Sequence, residues 1–299
     1  MNIRQLQYFL VAAEEENFSR SADRVHIHQS ALSRAIKDLE AELGVSLFER
    51  GKGRTRLTWP GKVFREDAQR LLSFLSSVRA RTKAAELGYR GYLRIALTDG
   101  LAQPRMTDLL AKCRAEEPLT EIRLVEMTVR EMRQALNSEQ IDAGFTIHDD
   151  FDDFDLVKHP VWADRLVLAI PSHHPLVVRD KVPLSEAVQH PMIVCHPERC
   201  EGGHNLLSRI FRNAQLPDPI AAAYVSGHEL TMMFVAAGYG IGLALESQVS
   251  IFSHPNIVFR EIRDEPMEAS TYLVRPNRTP SPELMRFIER TSAHHSLSD

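Results

Sequence analysis

Residues 26–44 read HIHQSALSRAIKDLEAELG. Leu32, Ile36, Leu39 and Leu43 are spaced 4, 3 and 4 apart, which is one face of a helix running from about Gln29 to Leu43. Gly44 follows as a C-cap that accepts left-handed backbone at no steric cost. Off the apolar stripe stand Gln29, Ser30, Ser33, Arg34 and Lys37, all polar. Two readings are open: an ordinary amphipathic helix with a solvated face, or a helix whose outer face recognises something. The flanking sequence bears on the choice.

Upstream, Ile3, Leu6, Phe9, Leu10 and Ala13 share one helical face. Ser19 is then expected to cap a short helix, SRSADRV, that buries Ala22 and Val25. Downstream, VSLFERGKGRTRLT has two apolar-flanked arms, around SLFE and TRLT, enclosing the basic tip GKGR. Three short helices followed by a basic hairpin describe an all-α winged helix-turn-helix, whose third helix enters the DNA major groove. Gln29 can pair bidentately with adenine and Arg34 with guanine, each worth about 1–3 kcal/mol of discrimination. Ser30, Ser33 and Lys37 suit phosphate positioning. The wing residues Arg50, Lys52, Arg54 and Arg56 would add salt-dependent, sequence-blind affinity. The alternative is a three-helix bundle with a solvated polar face.

A longer helix is expected from near Pro60. Phe64, Leu71, Val78 and Ala85 recur every seven residues, with Ala68, Leu75 and Thr82 between them. Such a repeat suits pairing with a second helix, although a helix packed on its own domain remains the alternative. Gly88 and Gly91 interrupt it. The division expected is 1–59 for DNA binding, 60–90 for a dimerising linker helix, and 91–299 for an α/β domain.

Beyond Tyr92, strand-like stretches (YLRIAL, TEIRLVEM, DAGFTI, RLVLAIP, MIVC, IGLAL) alternate with helical ones. The 299 residues are 43% hydrophobic and 25% charged, an ordinary globular balance. The net charge of −4 conceals an asymmetry. Residues 1–94 carry 17 Lys+Arg against 11 Asp+Glu, or +6, and the remainder 19 against 29, or −10. A polyanion partner is therefore expected for the first part only, with chance segregation as the plain alternative. The opening MNIRQLQYFL has no basic leader, long apolar run or cleavage site. With three cysteines in no disulfide pattern, the expectation is a cytoplasmic protein that does not engage the membrane.

The N-terminal motifs are specific. The chain has Gln29-Ser30-Ala31-Leu32-Ser33, Leu39-Glu40-Ala41-Glu42-Leu43-Gly44, Leu47-Phe48-Glu49-Arg50 and Leu57-Thr58-Trp59-Pro60-Gly61. This series resembles the DNA-binding region of LysR-type transcriptional regulators, departing at Ser21, where alanine is usual, and at Trp59-Pro60. IPSHHPL and FVAAGYGIGLAL resemble segments of that family's C-terminal domain. The resemblance implies an effector domain like periplasmic binding proteins, with subdomain I at 92–161 plus 267–299 and subdomain II at 162–266. It also implies a homo-oligomer, dimeric through the linker helix and tetrameric overall, that binds double-stranded DNA and a small-molecule effector. Contact with RNA polymerase is left open. LGYRGYLRIALTDG, EMTVREMRQAL and DAGF look most like regulators of aromatic-compound catabolism, so an aromatic or other organic acid is the effector class expected.

Rival chemistries find less support. In AGYGIG the glycines follow a helix and precede a strand, the reverse of a dinucleotide site. CHPERCEGGH offers Cys195, His196, Cys200 and His204 without the spacing of a common zinc site. A redox pair is a second alternative there; the plain reading is a loop with Cys195 buried at a strand end. Ser226, His228 and Glu229 are too close in sequence to converge as a catalytic triad. Ser226 is expected to cap a helix, with Glu229 completing a capping box. No enzyme activity, metal or cofactor is expected.

Effectors of two-lobed α/β domains lie where strand ends meet helix starts, and helix-start amides favour an anion. By that rule and the resemblance, the candidates are Thr98, Asp99, Thr128, Thr146, His148, His196 and Ser226. For each hydroxyl the alternative is a helix cap. Asp99 suits an anion poorly: either it pairs with a cation such as Arg105, or the ligand is not a simple anion.

Overall fold

A computed structural model describes residues 1–50, 55–98, 104–148, 155–249, 251–252, 254–263 and 267–292. The chain divides into two compact units, Met1–Lys83 with Ser138–Gln140, and Ala84–Asn137 with Ile141–Asp299.

The first unit begins with α1 (Ile3–Glu15), closed by a capping box in which Asn2 and Gln5 exchange side chain-to-backbone hydrogen bonds. Helix α2 (Phe18–Arg24) is capped by Asn17 rather than the expected Ser19. Asn17 Oδ1 accepts from the amides of Ser19 and Arg20 at 2.9 and 3.1 Å, so Ser19 already lies inside the helix. His26 turns the chain in a left-handed conformation (φ 55). Helix α3 (Gln29–Leu43) then buries Leu32, Ile36 and Leu39 and ends at Gly44 with φ 72. Leu43 and Ile3 remain exposed, so the apolar stripes are shorter than their periodicity implies.

Strands β1 (Phe48–Arg50) and β2 (Thr55–Leu57) pair antiparallel with Phe48 opposite Leu57. The tip at 51–54, with Lys52 and Arg54, lies outside the described residues. Glu40 Oε1 accepts from the amides of Leu47 and Phe48 at 2.8 and 3.2 Å, pinning the wing to α3. Helix α4 (Trp59–Glu86) follows. Thr58 precedes it, its hydroxyl donating to Ser46 O and accepting from Gly61 N. The Phe9 ring meets Phe64 edge-on at 4.9 Å and Phe48 at 5.4 Å, closing a core that also contains Ile36, Leu39 and Leu47. Further along α4, Leu71, Phe74 and Val78 are exposed, while Leu75, one of the expected seam positions, is half-buried.

In the second unit, β3 (Gly91–Leu97), α5 (Pro104–Glu116), β4 (Thr120–Glu126), α6 (Val129–Asn137) and β5 (Ala143–Thr146) form parallel βαβ layers. Leu97 stands level with Glu126 and Phe145, so three strand ends meet at one sheet edge. Strand β6 (Leu156–Pro171) is longer than the RLVLAIP stretch legible in sequence. Pro160 hides its first part, and the register shift opposite it, between Thr271 and Tyr272, is the irregularity that tolerates a proline. The second half contains β7 (Lys181–Val182), α7 (Leu184–Ala187), β8 (Met192–Cys195), α8 (Glu201–Asn213), β9 (Ala221–Val225), α9 (His228–Ala236), β10 (Ile241–Leu245), α10 (Glu246–Val249) and β11 (Ile257–Ile262). The chain returns through β12 (Glu268–Pro276) to α11 (Pro282–Ser292). The ten-stranded sheet runs β4-β3-β5-β12-β6-β10-β8-β9, with β11 on β6 and β7. β6 joins the halves: it pairs with β12 up to Arg165 and with β10 and β11 beyond it. Phe145 stacks on Trp162 at 5.2 Å and meets Phe287 edge-on at 6.1 Å, in a core that extends into both halves.

Two glycines of AGYGIG explain that motif without a nucleotide. Gly238 is left-handed (φ 81) after α9, and Gly240 packs its Cα against the Pro191 carbonyl. Both are needs of a tight helix-to-strand turn.

Candidate functional site

In the first unit, packing Leu32, Ile36 and Leu39 inward turns Gln29, Ser30, Arg34 and Lys37 into solvent and leaves Ser33 half-buried. Among the described residues neither Arg34 nor Lys37 has an ion pair. Arg20 and Arg24, by contrast, are engaged with Glu14 and Glu15. His28 precedes α3 without a side-chain cap, so the amides of Gln29 and Ser30 are open at the helix start. Arg56 is exposed on β2. Arg50 belongs to β1, but its side chain lies outside the description. The unit thus presents a helix start, two unpaired cations and an amide-bearing side chain on one exposed face.

The second unit has a cavity of about 710 Å³ between its halves. Leu97, Glu126, Met127, Thr128 and Glu131 line it from the β3, β4 and α6 side. Arg199, Ser226–Leu230, Ile251 and Phe252 line it from the connections and the start of α9 in the other half. Of the seven residues expected from sequence, Thr128 and Ser226 are among these lining residues. Thr128 also caps α6: its amide and hydroxyl donate to Glu131 Oε2 at 2.8 and 2.9 Å. Those hydrogen bonds hold the Glu131 carboxyl below the usual carboxylate range. Ser226 is exposed, and it is not the cap expected: Gly227 precedes α9 and no side chain caps that helix.

Thr98, Thr146 and His148 are buried behind the rim. Thr98 donates its amide to Phe145 O at 3.0 Å, and Thr146 Oγ1 accepts from His148 N at 3.0 Å. His148 Nδ1 lies 3.3 Å from Asn205 Nδ2. His196 is half-buried, its Nδ1 accepting from Glu198 N at 3.1 Å. Asp99 lies outside the described residues, and Arg105 faces buried Asp164 at 3.5 Å.

Sequence reasoning did not select Glu126, Arg199, His228 or Glu229 for this cavity. Each sits on a different connection or was assigned a local role, so no spacing marked them. His228 is the most perturbed: burial pushes its pKa down to about 4, and its buried Nε2 has no hydrogen-bond partner. His228 also lines a smaller, mostly apolar cavity of about 80 Å³ with Cys195, Cys200, Leu206 and Leu243. The thiols are free; Cys200 is buried, while Cys195 is only half-buried rather than buried at the strand end as expected. Ser226 and His228 share no hydrogen bond among the described residues. Among the described residues no grouping of three or more His, Cys, Asp or Glu is arranged to hold a metal.

Comparison with known proteins adds the following. The profile described as "Bacterial regulatory helix-turn-helix protein, lysR family" matches residues 3–62. The profile "LysR substrate binding domain" matches residues 87–295. The chain is 31% identical over 262 residues to the HTH-type transcriptional regulator ClcR of Pseudomonas putida, covering 88% of each protein. It is 31% identical over 256 residues to the HTH-type transcriptional regulator BenM of Acinetobacter baylyi, covering 84% of this chain and 82% of BenM. Among solved structures, full-length CbnR complexed with its target DNA is similar with a TM-score of 0.69 and 25% identity, over 98% of this chain and 99% of that one.

Proposed function

The chain belongs to the LysR family of bacterial helix-turn-helix regulators, and on that premise we propose how its two units divide the work of an effector-controlled transcription regulator. The observation that carries this reading is the pairing of an exposed polar face on α3 with a cavity between two α/β halves. Helix α3 enters the major groove, Gln29 and Arg34 read base edges, and Ser30, Ser33 and Lys37 hold phosphates. The open amides at the start of α3 suit a phosphate. Arg50, Lys52, Arg54 and Arg56 form a basic wing. The functional parts proposed are 1–59, 60–90 and 91–299, with subdomain I at 92–161 plus 267–299 and subdomain II at 162–266.

The cavity takes an organic acid effector, for which Arg199 is the one guanidinium among the described lining residues. Thr128 and Ser226 contact it directly. Thr98, Thr146, His148 and His196 set the shape of the rim from behind, and Asp99 belongs to the loop after β3. Ligand binding shifts the balance between lobe arrangements, and with it the spacing of the DNA-binding pairs in a tetramer. No helix of the described residues is long and apolar enough to cross a membrane; we place the protein in the cytoplasm, without catalytic activity, cofactor or metal.

Two measurements check this reading. Arg34→Ala should weaken operator binding by about 1–3 kcal/mol and relax preference at one base pair, whereas Arg56→Ala should weaken all sequences alike and flatten the salt dependence by about one phosphate contact. Gel-shift titrations at several salt concentrations separate the two; unchanged affinity in Arg34→Ala would reject the role of α3. Dimerisation rests on the exposed row Leu71, Phe74 and Val78 of α4. Phe74→Asp should therefore lower the assembly state in sedimentation, since a buried charge without a partner opposes helix pairing.

A further inference from the structure

If the cavity between the halves is the effector site, its ionised lining limits what the effector can be. Among the described residues three carboxylates border it, Glu126, Glu131 and Glu229, against one guanidinium, Arg199. Glu131 is engaged by the Thr128 amide and hydroxyl. The side chains of Glu126 and Glu229 are exposed and make no hydrogen bond or ion pair with any described residue, and the same holds for the Arg199 side chain. The neutral imidazole of His228 adds no cation, and its buried Nε2 is an unused hydrogen-bonding atom in the same wall. Leu97, Met127 and Phe252 give the cavity an apolar side.

A plain carboxylate entering here would gain Arg199 but meet two carboxylates that no described residue neutralises. A plain amine would leave Arg199 unmatched. We propose that the effector is a zwitterion, an organic acid that also carries a protonated amine. Its carboxylate meets Arg199, its ammonium meets Glu126 and Glu229, and its apolar body rests on Met127 and Phe252. This proposal depends on the cleft reading above and narrows its ligand class from organic acids to amino-bearing ones.

The test uses the full-length protein with matched pairs of probes: 4-(aminomethyl)benzoate with 4-methylbenzoate, phenylalanine with 3-phenylpropanoate, and the other common amino acids each with its deaminated acid. Thermal shift ranks them and titration calorimetry gives affinities. The expected result is an amino-bearing acid that binds about tenfold or more tighter than its deaminated partner. Glu126→Gln and Glu229→Gln should each shrink that ratio while leaving the deaminated acid's affinity equal or improved. A deaminated acid that binds as tightly as its amino partner overturns the proposal, as does a failure of every amino-bearing probe at millimolar concentration. Arg199→Ala tells the two readings apart. If it abolishes binding of a plain acid that ignores both glutamine variants, the cleft reading stands and the zwitterion falls. If a bound probe ignores all three variants, the cleft reading falls too.

Discussion

Ile36→Ala is expected to destabilise the DNA-binding unit by about 2–5 kcal/mol, the usual cost of truncating a fully buried aliphatic side chain. Ile36 is inaccessible to solvent and packs in one cluster with Phe9, Leu39, Leu47 and Ala68. That cluster joins α1, α3, the wing and α4, so a cavity at Ile36 loosens every element that aims α3. Small domains are stable by only about 5–15 kcal/mol, so the loss is a large share of the total. Urea unfolding followed by circular dichroism should show an earlier transition, and operator binding should fall with it. Arg34→Ala supplies the contrast: it removes an exposed side chain with no described partner, so the unfolding midpoint should hardly move while operator binding weakens and its preference at one base pair relaxes. An Ile36→Ala protein with an unchanged unfolding curve would contradict the packing described.

The second large effect is expected at Gly61. A Cβ there would collide with the Leu47 carbonyl oxygen and lie 3.0 Å from both the Leu47 carbonyl carbon and Leu57 Cδ2. The oxygen is backbone, and it already accepts from Thr58 N at 3.0 Å, so it cannot swing aside as a side chain could. Gly61 N also donates to Thr58 Oγ1 at 3.0 Å at the start of α4. Gly61→Ala must therefore push α4 away from the wing, at a cost of about 3 kcal/mol, near the top of the range for overpacking. Differential scanning calorimetry should report a lower melting temperature for Gly61→Ala, with weaker operator binding. Gly88→Ala is a useful comparison: its φ of 89 makes alanine strained, yet nothing lies within 4 Å of the added carbon. A loss at Gly61 no larger than at Gly88 would show that the close approach to Leu47 is not what requires glycine.

The DNA-binding unit was largely legible because its signals are local. The spacing of Leu32, Ile36 and Leu39 faithfully reports the inner face of α3, and Gly44 its end. Errors arose where two residues competed for one local role. Asn17 and Ser19 both cap helices well, and only the backbone path shows that Asn17 stands outside α2. Ser226 offered the same lure before α9, where the structure uses Gly227 and no side chain. The cleft was far less legible. Its hydroxyl candidates at Thr98 and Thr146 serve the buried strand ends instead. Its charged lining comes from Glu126 at the end of β4, Arg199 between β8 and α8, and Glu229 at the start of α9, which are far apart in the chain.

The sequence by itself therefore determined most of the longer elements and the first unit's architecture, since periodicity, caps and a basic hairpin are short-range consequences of side-chain size and polarity. It also determined the alternation of strands and helices beyond Tyr92. Only the tertiary structure decided which ends of those strands share an edge, where β6 changes partners, and which side chains face the cavity. Sheet register and strand crossover are long-range pairings, and no residue carries them in its own spacing. The cavity of the second unit is built by such pairings, and the excess of carboxylates over cations among its described lining residues became visible only once they closed.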